Sequence, residues 1–273
     1  MQDQNSPHDG HGSRQGTARR AASGGDVVDF ASWVIGLIAS RRAAEHQVMR
    51  LDLLSRFREV IAADNPSSLT DFLAALPTER IDAATLADLY IPAMARMLGE
   101  DWLDDRASFA EVSLASARLQ AMLREIGLAW SSDRAREGRG TLLLAVPPGE
   151  QHTLGAMVLI GQLRRLGISV RLVCGPDGAE AAKVIETGHF EGVLLSLSCT
   201  NRLAAVRGFI ECLRRASPRR LPIVAGGSAV QAGVLTAAEL AEVTGADLVT
   251  SDLHHALRFC GLAEARPGSR RRA

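Results

Sequence analysis

One segment concentrates side chains able to do chemistry: Pro147-Pro148-Gly149-Glu150-Gln151-His152-Thr153-Leu154-Gly155. Two prolines and a glycine stiffen an exposed turn. His152 offers an imidazole, a ligand for a metal. Glu150, two residues earlier, can accept the other ring N–H, fixing the tautomer and raising the basicity of the ring. Gly155 permits close approach of a bulky ligand or a neighbouring backbone. Two further clusters belong with this loop. Ser196, Ser198 and Thr200 are small hydroxyl residues able to line a slot, and Gly226-Gly227 leaves room for something flat and large. Read alone, His152 is equally a loop or helix-capping histidine.

The elements that must position these residues follow from the apolar pattern. From Thr141 onward the sequence alternates short apolar runs with amphipathic stretches. Strands are expected at 141–146, 169–174, 192–198, 222–225 and 247–250, each followed by a helix. Asp177-Gly-Ala-Glu180 and Thr236-Ala-Ala-Glu239 read as helix caps. Five strand–helix rounds, with strands apolar throughout, predict a parallel sheet buried on both faces, a doubly wound Rossmann-like α/β domain over 141–263. Such sheets bind ligands beyond the carboxyl ends of their strands. The His152 loop, the Ser196–Ser198 segment and Gly226-Gly227 fall at three such ends.

Before this domain the chain reads as helical. Residues 1–25, rich in Gly, Ser, Gln, His and Arg, are expected to be a disordered tail. Residues 26–65 read as a helical extension and a candidate partner face. Residues 66–135 read as a helical bundle, with Ser68 capping a first helix, Asp82 starting a second that Gly99 can end, and Ser108-Phe-Ala-Glu111 opening a long third. Residues 136–140 are a charged linker and 264–273 an Arg-rich tail.

Composition narrows the function. The 273 residues carry 31 Lys plus Arg and 31 Asp plus Glu, so net charge is zero, which disfavours autonomous nucleic-acid binding. The longest apolar runs are far short of a bilayer span and the start lacks a secretory core, so a cytoplasmic protein is expected. Cys174, Cys199, Cys212 and Cys260 form no CxxC pair and read as small buried hydrophobes. The arginines at 214, 215, 219 and 220 read as a solvated turn.

Residues 139–262 resemble the cobalamin-binding domain of methionine synthase, corrinoid carriers and B12-dependent photoreceptors. That family carries Asp-x-His-x-x-Gly, then Ser-x-Leu, then Gly-Gly. Here these read Glu150-Gln-His152-Thr-Leu-Gly155, Ser196-Leu197-Ser198 and Gly226-Gly227, with Glu150 replacing the Asp and Ser198 the Leu. The resemblance implies His152 as lower axial ligand to cobalt, with Ser196 against the displaced nucleotide tail and the glycines making space for it. Gly99-Glu-Asp-Trp102 followed by Ser108-Phe-Ala-Glu111 is similar to the family's helical cap. There a Trp and a Glu-His pair cover the upper cobalt face. Trp102 keeps the first, while Val112 and Ser113 stand where the pair would lie. Loss of that pair argues against methyl transfer and for a non-enzymatic binding protein or sensor.

With Ile91-Pro92-Ala93 and Ser116-Ala-Arg118-Leu-Gln120, the chain over about 66–262 resembles the AerR/PpaA group of purple photosynthetic bacteria. That resemblance implies a regulator acting on a CrtJ/PpsR-type repressor of photosynthesis genes. It would reach DNA only indirectly and respond to light or redox state through hydroxo-, methyl- or adenosylcobalamin. Two alternatives stand beside it: a heme sensor on the same fold, with His152 on iron, and a corrinoid carrier in methyl transfer. A protein acting by contact alone, without cofactor, is the blandest reading.

Overall fold

A computed structural model describes residues 49–262, except 64, 133–137, 176, 201 and 218–219. The expected tail over 1–25, residues 26–48 of the expected extension, residues 136 and 137 of the linker and the Arg-rich tail lie outside the described residues.

The helical part begins with α1 (Leu51–Ala62), α2 (Pro66–Ala75) and a turn at Ala83–Thr85. A π-helical turn, Leu86–Tyr90, leads directly into α3 (Ile91–Leu103), and the long α4 (Phe109–Ser132) follows. The apolar spacing of α1 buries Leu53, Leu54, Phe57 and Ile61. They pack with Phe72 of α2, Tyr90, Met94 of α3 and Leu119 of α4 in one core. Phe57 stacks on Phe72 with ring centroids 5.2 Å apart. The segment read as an extension over 26–65 thus contributes its described helix to the bundle itself.

Local caps set the boundaries. Asn65, not Ser68, caps α2, accepting from the Ser67 amide, with Pro66 in the first turn. Asp82 caps the turn at Ala83–Thr85. Ser108 and Glu111 form the expected box at the start of α4, with Glu111 Oε2 2.8 Å from the Ser108 amide and Ser108 Oγ 3.3 Å from the Glu111 amide. Gly99 does not end its helix, because α3 continues to Leu103. Asp101 is a buried acid near that end. It pairs with Arg58 of α1 at 2.6 Å and with Arg106 at 2.9 Å, so its charge is compensated where burial would otherwise be costly.

The second half alternates β1 (Thr141–Val146), α5 (Leu154–Arg165), β2 (Ser169–Cys174), α6 (Gly178–Thr187), β3 (Gly192–Ser196), α7 (Leu203–Ala216), β4 (Ile223–Gly226), α8 (Ser228–Gln231), α9 (Ala237–Thr244), β5 (Leu248–Val249) and α10 (Leu253–Phe259). All five strands are parallel, in the order β2-β1-β3-β4-β5. One apolar core forms on each face. The caps read at Asp177 and Thr236 are present, the latter as a full capping box with Glu239.

Burial corrects one expectation. β1, β3 and β4 are buried almost throughout, but β2 is largely exposed, with Ser169, Arg171, Leu172 and Cys174 open to solvent. It is an edge strand, and Arg171 supplies the kind of charge that guards an edge. The cysteines differ likewise: Cys260 is buried and Cys212 half-buried, but Cys174 and Cys199 are exposed.

Helix α5 joins the two halves. Its Val158 enters the bundle core, while Ala156 and Leu163 face the sheet. A side chain at Gly161 would meet the Trp130 ring at 2.7 Å, so glycine lets α4 and α5 close together. Arg165 lies 4.2 Å over that ring and pairs with Asp88 of the π-helical turn.

Candidate functional site

In a sheet of order 2-1-3-4-5 the connections leave β1 and β3 in opposite directions, opening a crevice at their carboxyl ends. The loops carrying Glu150, His152 and Ser198 border that crevice. Gly149 makes the first turn possible: its φ is +78°, and a side chain there would run into the Arg202 guanidinium.

Glu150 is the centre of the site. Its Oε1 accepts the His152 amide at 2.9 Å and lies 2.7 Å from His152 Nδ1. Its Oε2 accepts the Ser198 amide at 3.0 Å and the Ser198 hydroxyl. Ser198 Oγ is also 2.9 Å from His152 Nδ1. With its own proton on Glu150, that hydroxyl presents a lone pair to the ring, so one Nδ1–H is shared by two acceptors. This assigns the proton to Nδ1 and leaves Nε2 with its lone pair. Burial pushes the Glu150 carboxyl up, but the donors from Ser198 and His152 outweigh it and hold the group down at about 2. The Glu150 side chain is 9% exposed and that of His152 is 75% exposed. A buried anion therefore anchors an imidazole that projects into solvent.

The surroundings fit a large ligand over that ring. A side chain added at Gly155, on the first turn of α5, would meet nothing within 4 Å. Among the described residues no group of three or more His, Cys, Asp or Glu side chains could hold a metal ion.

The other expected residues are placed as follows. Ser196 ends β3, half-buried and paired in register with Gly226. A side chain at Gly226 would meet the Thr250 carbonyl oxygen at 2.7 Å. Gly227 has φ +113°, and a side chain there would overlap the Leu197 carbonyl. The glycine pair is thus demanded by the close approach of the protein's own backbone at β3, β4 and β5. Trp102, 52% exposed, lies near the end of α3, and Val112 is half-buried on the first turns of α4. A side-chain hydrogen bond from the bundle to the loop comes from Gln120, whose Nε2 is 3.4 Å from Thr153 Oγ1.

Sequence reading did not single out Cys199, 3.9 Å from Glu150 Oε2, or Ser228, which donates to the Ser198 carbonyl at 3.3 Å. The positions of Cys199 beside Ser198 and of Ser228 beside Gly227 were the available signals. The arginines at 214 and 220 are not simply solvated. They converge on Asp247 Oδ1 at 2.8 and 3.2 Å, while Asp247 Oδ2 accepts the Ile223 amide at 2.9 Å.

A parallel sheet of this order preceded by a helical bundle is a fold that a solved corrinoid protein shares. The monomethylamine corrinoid protein of Methanosarcina barkeri superposes with a TM-score of 0.59 over 78% of this chain and 97% of its own, at 13% identity. No protein-family model matches the chain. By sequence, the chain belongs to the family of the uncharacterized 20.5 kDa protein in the bchF-crtJ intergenic region of Rhodobacter capsulatus. The two are 37% identical over 169 residues, which is 62% of this chain and 86% of that relative.

Proposed function

We propose that this protein binds a cobalamin at the carboxyl edge of its sheet and acts, without catalysis of its own, as a regulator of the AerR/PpaA type. The observation that carries the reading is the exposed His152 ring, with Nδ1 fixed by buried Glu150 and Ser198 and Nε2 free to ligate. When bound, a cobalamin supplies a cobalt centre whose upper ligand responds to light or redox state. The protein's own residues do the rest. Glu150 orients the imidazole, Ser198 holds Glu150, and Gly155 leaves the ligand's face open. Gln120 ties the bundle to the residue after His152, so ligation can be felt in α4. In this reading Trp102 and Val112 lie toward the upper face and Ser196 beside the tail.

The proposed target is a CrtJ/PpsR-type repressor, reached by protein contact, with DNA affected through it. The relative's location beside crtJ and the zero net charge of the chain support this route.

The test is an absorption spectrum of protein freed of excess ligand after incubation with hydroxocobalamin or adenosylcobalamin, in dark and in light, with hemin as competitor. A retained, shifted corrin spectrum that is altered in His152→Ala is expected. Retention of heme alone would replace the reading by the heme sensor; retention of neither would leave a protein acting by contact alone. Capture of the purified repressor should then differ between loaded and unloaded protein.

A further inference from the structure

The bundle carries an open pocket, with Arg80 and Asp82 on its solvent-exposed side, that the sheet-edge site does not use. Its volume is about 500 Å³, within the ~300–1,000 Å³ typical of small-molecule sites. The walls are apolar, formed by Leu73, Leu76, Ile81, Leu86 and Ile126, and two charged residues, Arg80 and Asp82, stand among them.

The way Arg80 is placed there is unusual. The Ile81 amide bonds to the Leu76 carbonyl at 3.0 Å and the Arg80 amide to the Pro77 carbonyl at 3.1 Å. This pair of bonds is the Schellman ending of a helix, whose left-handed position is normally glycine. Here that position is Arg80, with φ +61°. A residue with a Cβ is disfavoured there, and glycine would end the helix without strain. Residues held in such conformations collect at ligand clamps.

The charges around it leave the guanidinium uncommitted. Glu79 is held by Arg50 at 2.8 Å and Arg56 at 2.5 Å. Asp82 uses Oδ1 to accept the Thr85 amide at 2.7 Å, at the positive end of a helix. Arg80 itself makes no ion pair or side-chain hydrogen bond among the described residues. Leu86, in the far wall, belongs to the π-helical turn, a departure from α-helix frequent at functional sites.

We propose that this pocket binds a small amphipathic anion, an apolar body bearing one carboxylate, with the carboxylate on Arg80. A charge-assisted, two-pronged contact is what a guanidinium offers a carboxylate, and the apolar walls take the remainder. The inference stands apart from the cofactor reading, because none of these residues belongs to the His152 loop.

The test is calorimetric titration of the full chain with decanoate, beside 1-decanol and decyltrimethylammonium. Saturable binding of one decanoate per chain is expected, with the alcohol weaker and the cation weakest. Arg80→Gly is the decisive variant, since glycine suits the backbone and the protein should melt no lower than the original. It should bind decanoate about tenfold more weakly or worse. Absence of saturable binding, equal binding of the cation, or unchanged affinity in a folded Arg80→Gly would each overturn the proposal.

Discussion

Glu150→Gln is the most informative single substitution. It keeps the shape of the side chain and removes its charge. Every partner of Glu150 in the site donates: the His152 amide, His152 Nδ1–H, the Ser198 amide and the Ser198 hydroxyl. An amide has one accepting oxygen and one donating nitrogen, so it can satisfy only one side. The other side then meets donor against donor. Leaving a buried donor unpaired costs about 1–3 kcal/mol, and the Ser198 hydroxyl can rotate away, so a loss near ~2 kcal/mol is expected. In a chain of this size that lowers the melting temperature by about 4–8 °C. A second readout concerns the imidazole. With the amide NH2 turned to the ring, Nδ1 must accept and the proton moves to Nε2, removing the metal-binding lone pair. Nitrogen-15 NMR of labelled histidine should show His152 as the Nδ1–H tautomer in the original protein and the Nε2–H tautomer gaining in the variant. An unchanged melting temperature together with an unchanged tautomer would refute the assignment of Glu150 as the anchor.

Other perturbations separate structure from site. Gly227→Ala should destabilise by about 2 kcal/mol or more through its φ of +113° and its overlap with Leu197, whereas Gly155→Ala should melt normally and weaken only cobalamin retention. Chemical denaturation followed by circular dichroism measures the first effect, and the retained corrin absorbance the second. Phe57→Ala removes a fully buried ring from its stack on Phe72 and should cost about 3–5 kcal/mol in the same denaturation assay. For Asp247, burial alone would raise the carboxyl, but Arg214, the Ile223 amide and Arg220 hold it below the usual carboxylate range. A depressed folded-state pKa means its contribution is present above the unfolded value of ~3.9 and disappears as pH falls below it. Asp247→Asn should therefore destabilise at pH 7, and the difference from the original should shrink below about pH 4.

What sequence alone could reveal was set by the range of the interactions. Caps that span three residues, Ser108 with Glu111, Asp177 with Glu180 and Thr236 with Glu239, were readable because donor and acceptor are local. The alternation of strand and helix was readable for the same reason. The exposure of β2 was not, because its edge position follows from β1 pairing with both β2 and β3. Glu150 and His152 were recognisable as a pair two residues apart, but the bonds from Ser198, 48 residues away, depend on strand order. Gly226-Gly227 was a visible motif whose physical cause, the backbone of Leu197 and Thr250, was not. Asp101 carried no sequence sign that it would be buried between Arg58 and Arg106.

The π-helical turn at Leu86–Tyr90 has a consequence for changes in chain length. A π turn holds one residue more than the α-helical turn it replaces. Deleting a residue there would let the turn close as α while the helix on either side keeps close to its present orientation. Within this stretch, Asp88 reaches Arg165 of α5 and the Tyr90 hydroxyl accepts the Arg50 amide at the start of α1. The extra residue is thus absorbed locally, so its deletion should disturb the bundle less than a one-residue deletion within the regular part of α3, which would turn all that precedes it by about 100°.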